Sequence, residues 1–307
     1  MNKVLVIAGP TATGKTAVSV KLAKEFSGEV ISCDSVQIYK HLNIGSAKPT
    51  KEEMGGIPHH MMDFLDPFEN FSVADFCALA KEKIDDILKR GKLPILAGGT
   101  GLYISSIIDN ISFAENGSEN TVRDELYAEL EKIGAVAMHE KLSEIDPEAA
   151  NEIHPNNVKR VIRAIEIYMQ TGKTRTEQNK ESKKEKSPYD FILCGLNCER
   201  ELLYERINKR VDIMEDAGLF KEMEELLKMG LSESNQSMQG IGYKENFSFF
   251  KGEITKEECL ELIKKNSRNY AKRQLTWFKR GNYEWFDCID TKLYDKIKTY
   301  VGEKLWI

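Results

Sequence analysis

The most useful features of this 307-residue chain are at first the ones it lacks. No apolar run approaches the roughly 18 residues that a membrane span needs, so no span is predicted. After Met1-Asn2-Lys3 the apolar stretch Val4 to Ala8 meets Gly9-Pro10 at once, which is too short for a signal peptide. The cysteines follow no disulfide or zinc spacing. Cys33, Cys77, Cys194, Cys198, Cys259 and Cys288 are scattered, and the pair Cys194 and Cys198 has no second pair to match it. They read as free thiols of a cytoplasmic protein. Positive charge is not in excess either: 44 Lys and Arg stand against 49 Asp and Glu, a net charge of -5. Spread evenly, that balance would count against a nucleic-acid partner, so the placement of the charges decides the question. What the chain does have is a 41% apolar fraction with 13 Phe and 11 Tyr, which excludes a disordered polypeptide.

The apolar pattern predicts an α/β protein. Lys3 to Ala8 is a short β-branched run suited to a buried parallel strand, followed by a Gly-rich turn and a helix from Lys15 to Phe26. Glu29 to Cys33 reads as a second strand and Leu93 to Ala97 as a third. Between them lies a long helix opened by the capping box Ser72 to Asp75 and ended at Gly91. Strand and helix alternate in this way when βαβ units build a parallel sheet. Beyond about Asn110 the pattern turns all-helical, from Thr121 to Thr171. The charged stretch Asn179 to Ser187 reads as a loop, and Tyr189 to Leu196 returns as a strand. Long helices are predicted from Glu201 to Met229 and from Thr255 to Arg280. The expected division is a core of residues 1–112 and 189–307 interrupted by a helical insertion, 113–188.

One motif in the first βα unit carries chemistry. Gly9-Pro10-Thr11-Ala12-Thr13-Gly14-Lys15-Thr16 matches G-x-x-x-x-G-K-[ST] between a predicted strand and a predicted helix. Such a loop turns backbone N–H groups inward as an anion nest at a helix N-terminus. Lys15 adds a point charge for phosphate oxygens, and Thr16 supplies a hydroxyl suited to Mg²⁺. A phosphate or diphosphate ligand is expected. The usual base-reading motif of GTPases is absent: Thr50-Lys51-Glu52-Glu53, Thr255-Lys256-Glu257-Glu258 and Thr291-Lys292-Leu293-Tyr294 all lack the closing Asp. The third strand runs into Gly98-Gly99-Thr100, where an ATPase motor usually carries an acid.

The nearest acid of that kind is Asp34, at the carboxyl end of the second strand, the edge where ligands of open α/β sheets bind. Asp34 could hold Mg²⁺ or act as a general base, or it could cap the turn into Val36 to Tyr39. Thr100 could contact an acceptor or cap the helix after it. His59-His60 is a poor metal cluster, since adjacent histidines cannot both reach one ion and no third is near. Two stretches concentrate cations. Lys159, Arg160 and Arg163 are predicted to share a helix face opposite Val158, Ile162, Ile165 and Met169. Lys264 to Arg280 holds seven Lys and Arg and no acid, interleaved with Tyr270, Trp277 and Phe278, a composition suited to a nucleic-acid backbone with base stacking. The glycines of Gln239-Gly240-Ile241-Gly242-Tyr243-Lys244 suggest close backbone approach. Arg206 and Arg210 lie one helical turn apart, each able to reach a phosphate or to pair with Glu222 or its neighbours.

Taken together, eight strings resemble the tRNA dimethylallyltransferase (tRNA isopentenyltransferase) family of bacterial type, in family order. They are Gly9 to Thr16, Asp34 to Tyr39, Ile44 to Lys48, Pro58 to Asp63, Gly98 to Tyr103, Ile153 to Arg163, Gln239 to Lys244 and Ala271 to Trp277. The resemblance implies a P-loop NTPase-like parallel sheet core with an inserted all-helical tRNA-binding subdomain. It implies Mg²⁺-dependent transfer of a dimethylallyl group from dimethylallyl diphosphate to N6 of the adenosine just 3′ of the anticodon, in tRNAs reading U-initial codons. In this reading Asp34 is the general base, Thr11 and Thr100 contact substrate, Arg210 grips the diphosphate, and Thr16 holds Mg²⁺. Asp34, Ser35, Val36, Gln37, Thr100, Arg123, the segment Lys159, Arg160, Val161, Ile162, Arg163, and the segment Gln239, Gly240, Ile241, Gly242, Tyr243, Lys244 match tRNA-contacting positions. The chain departs from the commonest family form at Gln239-Gly240, where many members carry a basic residue. The family suggests a monomer with the tRNA anticodon stem-loop as partner. The rival reading on the same loop is a small-molecule kinase, which would need a base pocket and a mobile arginine lid that the sequence does not display.

Overall fold

A computed structural model describes residues 2–111, 121–182 and 186–305. In chain order it begins with β1 (Lys3–Ala8), α1 (Lys15–Glu25), β2 (Gly28–Cys33), the short α2 (Lys51–Met54) and the two-residue β3 (His59–His60). Then come α3 (Val73–Lys89), β4 (Leu93–Gly98) and α4 (Gly101–Ile108). The capping box at α3 is present: the Ser72 side chain accepts from the Asp75 N–H while Asp75 reaches back to the Ser72 N–H at 2.8 Å. Four helices follow, α5 (Thr121–Ile145, broken at Gly134), α6 (Pro147–Glu152), α7 (Val158–Thr171) and α8 (Arg175–Ser182). The sheet resumes with β5 (Asp190–Asn197), succeeded by α9 (Arg200–Asp216), α10 (Leu219–Lys228), α11 (Asn246–Phe250), α12 (Lys256–Phe278), β6 (Glu284–Asp287) and α13 (Leu293–Leu305).

The six strands form one parallel sheet in the order β3-β2-β4-β1-β5-β6. Val4 to Ala8 of the central β1 are fully buried, as a strand covered on both faces must be. Leu5, Ile7, Val30 and Ile95 pack with Leu22 of α1 and Ile297 and Val301 of α13 in one apolar cluster. Burying a side chain of this size stabilises by roughly 1.5–3 kcal/mol, so the sheet is the fixed frame on which the loops ride. Because every strand is parallel, the loop after Ala8, Asp34 after β2 and Gly99-Thr100 after β4 leave the same edge.

The chain divides into two compact units, 1–108 with 188–307, and 109–187. The second has its own core, in which Leu126, Met138 and Leu142 of α5 meet Val161, Ile162 and Ile165 of α7. No helix among the described residues is long and apolar enough to cross a membrane.

Several expectations are corrected. Asn179 to Ser182 end helix α8, while 183–185 of that charged stretch lie outside the described residues. The single helix predicted from Glu201 to Met229 is two, because Gly218, at φ 99°, begins a new one. On α7 the buried face centres on Val161, Ile162 and Ile165, and Met169 is half exposed. β3, β6 and α13 were not foreseen: two are very short strands, and α13 follows the last motif that stands out in the sequence.

Candidate active site

The phosphate loop leaves β1 under constraint. Gly9 sits at φ 148°, and a Cβ there would fall 2.5 Å from the Leu196 carbonyl oxygen of β5, so only glycine fits. Within the loop the Pro10 carbonyl accepts from the Thr13 hydroxyl at 2.9 Å and from Lys15 Nζ at 2.7 Å. The loop is also held from outside. Gln274 of α12 accepts from the Thr11 N–H at 3.0 Å and donates through Nε2 to the Gly99 carbonyl at 2.9 Å. One buried amide thus ties the phosphate loop to the end of β4.

Arg210 of α9 donates through one guanidinium nitrogen to Thr11 Oγ1 at 3.1 Å and through the other to the Ala47 carbonyl at 3.3 Å. Arg206 points elsewhere and donates to Cys288 Sγ at 3.1 Å. Of the two arginines, the structure brings only Arg210 to the phosphate loop, and neither pairs with Glu222. Burial and then the Arg210 charge lower the Lys15 pKa from 10.5 to about 7, with Asp34 opposing them. Burial also lowers Arg210, and Asp34 is the main opposing charge. Two cations and one carboxylate therefore lie within electrostatic reach of one another around the loop.

Of the roles weighed for Asp34 from its sequence position, the cap is present, and it leaves the second carboxylate oxygen outside the turn. Its Oδ1 accepts from the backbone N–H groups of Val36 at 2.9 Å and Gln37 at 3.2 Å, an Asx-type cap of the turn that follows. That use fixes the carboxylate through one oxygen. Thr100 is stitched to the same place: its hydroxyl accepts from the Ser35 N–H at 3.2 Å, and its own N–H donates to the Cys33 carbonyl at 3.1 Å. Tyr270 of α12 lies beside Thr100 and Gln274. Burial, followed by the Asp34 charge, raises its hydroxyl pKa to about 12, so it stays protonated. Gln274 and Tyr270 belong to this site although the sequence did not assign them to it. The available signal was a Gln inside a basic helix, within the string Ala271 to Trp277.

The remaining candidates separate clearly. Ser35, Val36 and Gln37 are half-buried beside Asp34, and Gln239 and Lys244 are exposed. Tyr243 is fully buried, so its ring offers no surface to a partner. The turn it belongs to makes the expected close approaches: a Cβ on Gly240 would lie 2.9 Å from Val36 Cγ2, and one on Gly242, at φ 96°, would lie 2.9 Å from the Gly45 carbonyl oxygen. In the helical unit Lys159 and Arg160 are exposed, but Val161 and Ile162 are core side chains and cannot make side-chain contacts with a partner. Arg163 pairs with the buried Glu166 at 2.8 Å, and Arg123 reaches the same carboxylate at 3.1 Å. An acid one turn on thus answers part of the ridge.

The α12 run is also less free than its composition suggested. Lys264 pairs with Asp212 and Glu261, Arg268 donates to Asn208, Phe278 is buried, and Trp277 Nε1 donates to Ser105 Oγ at 2.9 Å. Phe278 is therefore not a stacking platform, while Trp277 is half-buried with its indole N–H held by Ser105. His60 Nε2 meets Glu29 at 2.7 Å on the edge of the sheet, a structural contact.

The oxygen donors at this site suit a hard cation. Thr16 is exposed at the start of α1, and Asp34 has a second carboxylate oxygen. Mg²⁺ typically takes one or two such protein oxygens together with substrate phosphates and water.

Residues 37–281 match the IPP transferase family profile. The chain is 50% identical over 308 residues to a tRNA dimethylallyltransferase of Acetivibrio thermocellus, covering 98% of each chain. It is 50% identical over 297 residues to one of Halalkalibacterium halodurans, covering 96% of this chain and 94% of the relative. Among solved structures it is similar to the full-length tRNA isopentenylpyrophosphate transferase from Bacillus halodurans. The TM-score is 0.75 at 47% identity, over 99% of this chain and 97% of that one. It is also similar to a eukaryotic dimethylallyltransferase acting on tRNA, with a TM-score of 0.82 at 32% identity, over 99% of this chain and 78% of that one.

Proposed function

The chain belongs to the IPP transferase family of tRNA dimethylallyltransferases, and from that premise we propose that it transfers a dimethylallyl group from dimethylallyl diphosphate to N6 of the adenosine just 3′ of the anticodon, in tRNAs reading U-initial codons. The observation that carries this reading is geometric: Lys15 and Arg210 both bond to the phosphate loop, two cations for a leaving diphosphate, and Asp34 leaves the same sheet edge as one oriented carboxylate for an acceptor.

In the transfer, the N6–C1 bond forms while the bond from C1 to the diphosphate oxygen breaks. The diphosphate leaves with that electron pair, and the N6 proton passes to Asp34. An aryl amine is a weak nucleophile because its lone pair is delocalised into the ring, so a positioned base matters. The larger demand is charge on the departing diphosphate. The loop N–H groups, Lys15 and Arg210 stabilise it where it develops. Thr16, with substrate oxygens, would hold Mg²⁺, which when bound neutralises diphosphate charge. The target base must leave its stack to enter the site. Lys159 and Arg160 of the helical unit are suited to the phosphate backbone of the anticodon arm. In this reading the protein works in the cytoplasm as a monomer.

The test is to incubate the protein with unmodified tRNA, Mg²⁺ and labelled dimethylallyl diphosphate. Label on the tRNA, lost from a transcript whose target adenosine is replaced by guanosine, supports the proposal. Unlabelled tRNA alongside ATP consumption with a small-molecule acceptor would overturn it in favour of the kinase reading.

A further inference from the structure

A carboxylate the sequence placed nowhere in the chemistry holds a central position in the fold. Glu222 of α10 is buried, and three successive backbone N–H groups converge on it. Asn43 donates to Oε2 at 3.0 Å, Ile44 to Oε2 at 2.8 Å, and Gly45 to Oε1 at 3.1 Å. The Tyr243 hydroxyl donates to Oε1 at 2.8 Å and accepts from the Ser46 N–H at 3.1 Å. This turn is an anion nest filled by the protein's own side chain. A neutral partner would not satisfy it equally, because an ionised carboxylate only accepts and every group facing it donates.

What the nest fixes is the chain just beyond it. The Ala47 carbonyl accepts from Arg210 at 3.3 Å and from Gln37 Nε2 at 3.2 Å, and the Ser46 carbonyl also accepts from Gln37 Nε2 at 3.2 Å. Arg210 in turn reaches Thr11 of the phosphate loop. A continuous set of bonds thus runs from a buried acid on α10, through the turn 43–47, to the arginine beside the diphosphate position and to the residue three places after Asp34. Burial, and next the charge of Glu222, hold the Tyr243 hydroxyl protonated, so it remains a donor to the carboxylate.

We infer that Glu222, with Tyr243, is a positioning residue for diphosphate binding: it sets the turn 43–47, and the turn orients the Arg210 guanidinium. The inference rests on the proposed reading of the phosphate site, but its test does not require transfer to tRNA. The probe is inorganic diphosphate with Mg²⁺, and the measurement is its dissociation constant by calorimetry for E222Q, Y243F, R210A and the double variants of each with R210A. Melting temperature is recorded for all of them.

If Glu222 acts through Arg210, E222Q weakens diphosphate binding about tenfold in the Arg210 protein and has little further effect once Arg210 is Ala. Y243F shows the same coupling at smaller size and keeps the fold if E222Q does not. A lowered melting temperature with unchanged diphosphate affinity, or equal effects with and without Arg210, would overturn the inference and leave Glu222 a purely structural acid. The two readings fail separately. Coupling in a protein that labels no tRNA keeps the positioning role and removes the proposed transfer. Transfer without coupling does the reverse.

Discussion

The phosphate site and the cationic ridge of the helical unit put the same residue types to opposite uses. Around the phosphate loop nearly every functional side chain is already bonded within the protein: Asp34 to two N–H groups, Thr100 to Ser35, Arg210 to Thr11 and Ala47, Lys15 to Pro10. On α7, Lys159 and Arg160 are exposed. Preorganised groups in a partly buried site act strongly on one small ligand, because their orientation costs nothing further on binding. Exposed cations act weakly, additively and with salt dependence on a long polyanion. Substitutions in the first region should therefore change rates steeply, and those in the second should change affinity gradually.

The largest expected effect is at Asp34. Asp34→Ala should lower single-turnover transfer by about 10² to 10⁴, the range for removal of a general base, while tRNA affinity changes little. The same substitution removes a cap worth about 1 kcal/mol, so a modest fall in melting temperature is expected beside the rate loss. A fall in stability with full activity in the folded fraction would reduce Asp34 to its capping role.

Gln274 comes next. It spans the Thr11 N–H and the Gly99 carbonyl, so Gln274→Ala leaves two buried backbone groups unpaired and loosens the phosphate loop. A loss of up to about 10² in kcat/KM for the diphosphate substrate is expected, the scale of a small misplacement. Steady-state kinetics at saturating tRNA would measure it. Near-normal kcat/KM would mean that the loop keeps its shape without the bridge.

Lys15 makes the first region sensitive to pH. Its pKa is lowered to about 7 from 10.5, so between those values the unfolded chain carries a proton that the folded chain lacks. This group's contribution to stability therefore rises with pH through that window and is lost as pH falls through about 7. Diphosphate reverses the balance by favouring the charged lysine. Binding at about pH 8 should take up close to one proton, and affinity should weaken by up to about tenfold per pH unit above 7. Calorimetry in two buffers of different ionisation enthalpy measures the uptake. Binding with no proton uptake would show that Lys15 is already charged in the free protein.

The parts legible in the sequence were those fixed by local pattern. The apolar runs of β1, β2 and β5, the capping box at Ser72 and the glycines of the phosphate loop each encode their geometry within a few residues. The same holds for Asp34, whose place at a strand end follows from the alternation of elements. What was not legible depends on contacts between residues far apart in the chain. Gln274 lies 263 positions from Thr11, and Glu222 lies 178 from Ile44. No periodicity reports such pairs. The charged runs misled for the same reason. The cations of Lys264 to Arg280 looked free of acid, yet Lys264 is answered by Asp212 from another helix, and Phe278 is buried in the core. Absence of acid along a segment does not make its cations free.

That lesson gives the finest test of the second region, in which the three ridge cations should not be equal. Lys159 and Arg160 are exposed, whereas Arg163 shares the buried Glu166 with Arg123. Lys159→Ala and Arg160→Ala should each weaken tRNA binding a few-fold and lower the slope of log affinity against log salt by about one. Arg163→Ala should change that slope less, because part of its charge is already spent on Glu166, and Arg123 still answers the acid after the substitution. Removing Arg123 and Arg163 together leaves that carboxylate buried without a cation, so this pair should depress the melting temperature more than the salt slope. Titrations of each variant against an anticodon stem-loop at several salt concentrations would order the three. Equal slopes for all would show that tRNA pulls Arg163 away from Glu166. Unchanged slopes for all would remove α7 from the interface and leave the phosphate site as the region of this protein that the present geometry explains.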